Sequence, residues 1–307
     1  MTITITPNSS PLGHEITGVD LRNLSNEDFS AIDDAYQKYG VVVVRDQSLT
    51  PEEQIAFSRR FGPLDRFALD RFNKKENPEI FIVSNLLDKG EPIGMEDAGR
   101  YWHSDMWYVD APPRGSHLYA LEVPHADNGE PLGDTYFAST AHAYRTLPEA
   151  LRKRVENLEA VFSLRKYAVH VGHTAEKAKD NVYLKEVVNA ERSLIDREIT
   201  HKLVRVHPIT GEKCLYVVQG VIREVLGLDQ AESDALIEEL TQHVIRAEAV
   251  YRHRWRVGDL VMWDNYSAVH RATGDFALPQ RRLMHRTTVG APVAATRKGD
   301  QQVALSA

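Results

Sequence analysis

The sequence predicts a single α+β domain built on a jelly roll faced by helices. Three observations carry this. Short strand-like runs separated by turn signals recur between residues 101 and 137 and between 203 and 289. Helical signals gather near the start, in the middle and at 229–246. No internal repeat and no linker rich enough to divide domains interrupts the 307 residues, so residues 1–292 read as one domain and 293–307 as a flexible tail.

In chain order, Ser25 and Asp28 open a helix whose one face carries Phe29, Ile32 and Tyr36, and Gly40 stops it. Val41 to Val44 reads as a buried strand. Thr50, Pro51 and Glu53 open a second helix that ends near Gly62. Ile80 to Ser84 is a further strand. From Tyr101 to Phe137 the pattern is strands broken at residues 111–115 and 126–133. Residues 139–160 read as helical, with Pro148 at a helix start; residues 163–200 are charged and weakly periodic. Leu203 to Val206 and Cys214 to Val218 flank the turn Pro208-Ile209-Thr210-Gly211 as a hairpin. An amphipathic helix at 229–246 precedes strands near 250–256, 260–264 and 283–289.

Composition narrows the function. A net charge of −7 gives no electrostatic case for nucleic acid. Cys214 is the single cysteine, which excludes an internal disulfide and a cysteine-based zinc site. The first residues lack the pattern of a secretory signal, and no run approaches 18 consecutive apolar residues. The expectation is a cytoplasmic protein with no membrane partner, acting on a small molecule; a homo-oligomer stays open.

Three stretches hold the chemistry. In Trp102-His103-Ser104-Asp105-Met106-Trp107-Tyr108 the aromatic content favours a strand, on which His103 and Asp105 point to one side and can reach one metal ion. An isolated His-x-Asp is more often a solvated strand face. In Gly258 to Asn265 an apolar strand runs between two turns, and His270 follows; alone, His270 reads as a loop histidine. In Gln280 to Arg286, strand alternation sends Arg282, Met284 and Arg286 one way and Arg281, Leu283 and His285 the other. Two inward arginines each call for an anion, and a dicarboxylate supplies one; an exposed face with two solvated arginines is the alternative.

Together these stretches resemble the taurine dioxygenase and dichlorophenoxyacetate dioxygenase family of iron(II)/2-oxoglutarate oxygenases. The resemblance covers nearly the whole chain, from Gly18-Val19-Asp20-Leu21, Val44-Arg45-Asp46-Gln47 and Arg60-Phe61-Gly62 through Trp102 to Asp105 and Gly133-Asp134-Thr135. It ends with Val206-His207-Pro208, Trp263-Asp264-Asn265, His270 and Arg282 to Arg286. Each fragment is weak; their order and spacing are specific. The resemblance implies a double-stranded β-helix in which His103, Asp105 and His270 hold Fe(2+). It implies that Arg282, helped by the Thr135 hydroxyl, binds the distal carboxylate of 2-oxoglutarate, and that Arg286 lies near the iron, close to co-substrate and substrate. The reaction implied uses O2, releases succinate and CO2, and hydroxylates a C–H bond of a small organic acid such as an aryloxyalkanoate, an alkyl sulfate or a sulfonate. Asp105 argues against a halogenating member, which needs a small residue there.

The chain departs from taurine dioxygenase at two polar contacts: Phe67 stands where that enzyme has a histidine, and Gly99 where it has an asparagine. Taurine is therefore not the expected substrate. Phe67, Trp107 and Tyr108 are candidates for substrate contact, with core packing as the alternative; Arg66, Arg71 and Lys74 could meet an anion. His170 and His173 read as surface or lid, Lys166 and Lys177 as solvent-exposed, His207 as closing a turn and His285 as packing in the fold. Residues 163–185 are expected to close over the pocket, against the alternative of a permanently ordered insert. A zinc hydrolase and a non-catalytic cupin that binds a metal and a dicarboxylate are the rival functions; the first leaves Arg282 and Thr135 without a role, and an intact triad with all the co-substrate residues speaks against the second.

Overall fold

The computed structural model describes residues 3–292 apart from 9, 68, 69, 97 and 171–197. Its frame is a β-sandwich. The larger sheet runs in the order Thr4–Thr6, His14–Thr17, Val41–Val44, Leu260–Asp264, Gly115–Glu122, Leu283–Val289, Asn77–Ser84 and Asn73–Lys74, and Leu64–Asp65 adds to Leu283–Val289. One pair, His14–Thr17 with Val41–Val44, is parallel. The smaller sheet places Thr135–Ser139 between Val250–His253 and Ala268–Ala272. The sheets pack face to face: Phe137, Tyr251 and Ala268 of the smaller meet Val43, Leu118, Val261 and Met284 of the larger in one apolar cluster.

The four-valine strand shows how sequence pattern becomes layers. Val41 and Val43 face the sandwich interior, while Val42 and Val44 face a second cluster with Ile32, Tyr36, Phe57 and Phe61. Both sides are buried, so the run needs no polar alternation. The covering helices are Asn26–Tyr39 and Pro51–Arg59. Ser25 caps the first by accepting from the Asp28 N–H, and Thr50 and Glu53 form a full capping box on the second. Gly40 ends the first helix at φ 69°, and a Cβ there would fall 2.7 Å from Ser267 Oγ.

A third cluster lies on the other side of the smaller sheet. The helices Thr140–Thr146 and Glu149–Val155, the hairpin of Val204–Val206 with Lys213–Leu215, and the helix Gln230–Val244 pack there around Phe162, Tyr216 and Leu240. The expected hairpin and amphipathic helix are thus present, and the 139–160 helix is split at Pro148, with Glu159–Ser163 a strand.

Two expectations are corrected. Residues 102–108 are not a strand: the chain turns after His103, and Met106 takes φ 55°. His270, which alone reads as a loop histidine, lies in Ala268–Ala272, an edge strand of the smaller sheet. Residues 171–185 of the expected lid, with His173 and Lys177, and the tail after 292 lie outside the described residues.

Candidate metal centre

His103 and His270 form an antiparallel bridge, each donating its backbone N–H to the other's carbonyl, at 3.0 and 2.8 Å. The Ala272 N–H donates to Gly99 at 2.7 Å, so the 99–103 segment lies along the Ala268–Ala272 strand. On the far side of that contact the Arg271 guanidinium sits 5.6 Å from the Trp102 ring and 5.3 Å from the Tyr136 ring, clamping the segment to the sheet. The turn after His103 swings Asp105 back. Its Oδ1 is 3.8 Å from His103 Nε2, and its Oδ2 accepts from Ser116 Oγ at 2.7 Å. One ligand atom from each of His103, Asp105 and His270 falls within 4.8 Å of the other two. The triad is therefore assembled by a bridge and a turn, not by the pleat of one strand.

The protonation states suit a divalent cation. His103 Nδ1 lies 2.7 Å from the Tyr101 carbonyl, which takes the Nδ1 proton and puts the lone pair on Nε2. Burial lowers both imidazoles below their ordinary value, His270 most, so they stay neutral near pH 7. Burial alone would raise the Asp105 carboxyl, but Arg286, the two histidines and the Ser116 hydroxyl outweigh it and hold it below the usual carboxylate range. His270 Nδ1 is buried without a hydrogen-bond partner. Two neutral imidazoles and one carboxylate form the donor set that suits an octahedral first-row cation while keeping positions open.

Arg286 stands in the last strand, Leu283–Val289, and Arg282 just before it, ahead of a register shift between Leu283 and Met284; both side chains are turned inward. Arg282 is 3% exposed, its Nε has no partner, and among the described residues no carboxylate pairs with it. Burial pushes its guanidinium down to about 10, with Asp275 only partly opposing. A charge held this way costs several kcal/mol of desolvation unless an anion arrives. Thr135, buried on the neighbouring sheet, accepts from the Trp255 indole N–H at 3.0 Å. Arg286 lies 3.5 Å from Asp105 and over the rings of Phe81 and Phe67, at 4.8 and 5.4 Å.

A cavity of 310 Å³ opens beside the triad, with His103, Asp105, Arg286, Phe67 and Tyr108 in its wall. His270, Thr135 and Arg282 are not among its lining residues. Trp107 does not contact the cavity: it is 1% exposed, stacks on Tyr216 at 3.8 Å and donates to Asn265 O at 2.7 Å, so it is core. Arg66 reaches the cavity, whereas Arg71 lies 3.6 Å from Glu91 and Lys74 lies 3.9 Å from Glu76. His207 closes its turn, accepting from Ile209 and Thr210, and His285 is buried. His170 packs edge-on, at 5.1 Å, to Tyr101, which lines the cavity.

Sequence reasoning missed Ser116, Gly99 and Trp255. Ser116 carries no local signal, because its role exists only across strands. Gly99 was read as a lost polar contact; a Cβ there would sit 2.9 Å from His103 Cε1, so glycine leaves room for the ligand ring. Trp255 fell in the stretch 250–256, read only as a strand; the structure ends that strand at His253.

Comparison with known proteins agrees with this geometry. The family model described as taurine catabolism dioxygenase TauD, TfdA family matches residues 4–288. The (S)-phenoxypropionate/alpha-ketoglutarate-dioxygenase of Sphingobium herbicidovorans is 32% identical over 294 residues, 95% of this chain and 96% of that protein. The alpha-ketoglutarate-dependent 2,4-dichlorophenoxyacetate dioxygenase of Cupriavidus pinatubonensis is 32% identical over 89% of this chain and 93% of its own. Among solved structures, AAD-2 in complex with Mn(II) and N-oxalylglycine superposes with a TM-score of 0.74 at 28% identity, over 95% of this chain and 98% of that one.

Proposed function

Because the chain belongs to the TauD, TfdA family of taurine catabolism dioxygenases, we propose that His103, Asp105 and His270 hold iron(II) and that Arg282 with Thr135 binds the distal carboxylate of 2-oxoglutarate. The protein is a 2-oxoglutarate-dependent dioxygenase that hydroxylates a small organic acid and releases succinate and CO2. Residues 1–292 act as one catalytic domain. A cytoplasmic setting supplies the reduced iron and the 2-oxoglutarate that such a centre consumes. The observation that carries the residue assignment is the convergence of two neutral imidazoles and an ionised carboxylate within 4.8 Å of one another, with His103 and Asp105 in the cavity wall.

Bound iron supplies the oxygen activation that a C–H bond requires. The chain's own residues do the rest. Asp105 contributes the one negative ligand charge, kept ionised by Arg286 and Ser116. Arg282 pairs its buried charge with a carboxylate, and that pairing recovers the desolvation cost. Arg286, held over Phe67 and Phe81, presents a cation to the substrate's acid group while those rings and Tyr108 cover its body. The apolar lining keeps water from the reacting carbon. Such a wall suits an aryloxyalkanoate or an alkyl sulfate better than taurine, whose body is too small to reach the rings.

A succinate-release screen with iron(II), ascorbate and oxygen tests this. Aryloxyalkanoates and alkyl sulfates are expected to couple 2-oxoglutarate consumption to product, and taurine to give background. Failure of the iron-loaded protein to bind 2-oxoglutarate would overturn the assignment.

A further inference from the structure

We propose that Trp255 is a positioning residue for 2-oxoglutarate: its indole N–H occupies one lone pair of the Thr135 hydroxyl and so aims the hydroxyl proton at the carboxylate held by Arg282. The inference rests on the co-substrate reading above. An indole can only donate, so the 3.0 Å contact makes Thr135 Oγ1 the acceptor. The hydroxyl keeps one proton of its own, and no described residue accepts it. Both side chains are buried, Thr135 at 4% exposure and Trp255 at 1%, so bulk water does not take that proton. A buried hydroxyl leaves its proton unused only at a cost.

The geometry says where the proton goes. Thr135 and Phe137 alternate onto one side of their strand, and the Phe137 ring stacks 5.9 Å from that of His270. Thr135 therefore looks into the sandwich beside the metal ligands. Gly133, two residues earlier, lies so near Arg282 that a Cβ there would stand 3.4 Å from its Nε. Arg282 has no acceptor atom, so the hydroxyl cannot donate to it. A carboxylate between them accepts from both. Accepting from the indole also polarises the Thr135 O–H and strengthens its donation.

Trp255 is itself fixed. His253 meets it edge-on at 4.5 Å and 86°, and His253 Nε2 lies 3.2 Å from Asp259 Oδ2. Asp259 also takes the Arg45 guanidinium at 2.6 Å. The indole is thus held by a buried chain that touches neither metal nor cavity, which marks it as an orienting group.

Calorimetric titration of 2-oxoglutarate into the Mn(II)-loaded enzyme decides the matter, using wild type, Trp255→Phe, Thr135→Val and the double variant. Trp255→Phe should weaken 2-oxoglutarate about three- to tenfold, the worth of one hydrogen bond, with Mn(II) affinity unchanged. The same change in the Thr135→Val background should cost less than about twofold, whereas in Thr135→Ser it should keep its full effect. If Thr135→Val leaves binding unaltered, the co-substrate reading falls and this inference with it. If Thr135→Val weakens binding but Trp255→Phe does not, or costs the same factor in both backgrounds, Trp255 has no positioning role. Should Trp255→Phe fail to fold, benzothienylalanine at position 255 keeps the indole shape without the N–H and is judged by the same outcomes.

Discussion

Arg282 carries its charge where solvent cannot reach it, and that single fact makes the sharpest residue-level prediction. Arg282→Ala removes a charge-assisted contact worth about 1.5–3 kcal/mol, so the Michaelis constant for 2-oxoglutarate should rise roughly ten- to hundredfold. Metal affinity, measured by titration, should not move. An unchanged constant would transfer the role to Arg286. The triad gives a harsher outcome: His103→Ala, Asp105→Ala and His270→Ala should each abolish succinate release, because three ligands leave none to spare. Substantial turnover by the His270 variant would mean that another histidine is the ligand. At this scale the sequence was most legible where side chains are charged. Arg282 and Arg286 are both turned inward as expected, although Arg282 stands just before the strand and not in it. Trp107 was not legible, since an aromatic beside a metal motif serves core or pocket equally well until its partners, Tyr216 and Asn265, are known.

Elements bounded by capping chemistry were read from local signals alone. Ser25, Gly40 and Thr50 mark their helices because each satisfies backbone groups within a few residues. Thr50→Ala should cost about 1 kcal/mol of stability through the lost cap. Thermal unfolding checks this, and turnover at low temperature should stay at the wild-type level; a change in 2-oxoglutarate affinity would show that the helix does more than cover the sheet. The Ala268–Ala272 strand and the turn after His103 escaped notice for the opposite reason. Each is defined by its partner across the bridge, and the intervening residues give no hint that positions 103 and 270 meet. Aromatic propensity pulled 102–108 toward a strand, and the tertiary turn at Met106 overrode it.

For the whole molecule, buried histidines set the response to acid. Burial pushes His117 down to about 3 and His201 and His285 down to about 4. In the unfolded chain these groups protonate near 6.5, so as pH falls below that value the unfolded state takes up protons first. Their contribution to stability is complete above about pH 6.5 and is lost progressively toward pH 4. The unfolding midpoint, followed with a chelator present so that metal release plays no part, should drop across that window. His285→Gln should make the drop shallower; a flat profile from pH 6.5 to 4.5 would refute the account. The sandwich itself was legible because its strands are short and separated by turn residues, yet the order of strands in each sheet was not, since pairing is written in long-range contacts.

The paired histidine backbones give the centre a proofreading property. Shifting the Ala268–Ala272 strand by one residue would turn His270 outward and bring Val269 or Arg271 to its place. Neither offers the imidazole that the His103, Asp105 and His270 cluster would present to a divalent cation. If these residues hold the metal as proposed, a chain that pairs this strand in the wrong register loses a ligand, and metal uptake reports that residues 167 positions apart have found their one correct alignment.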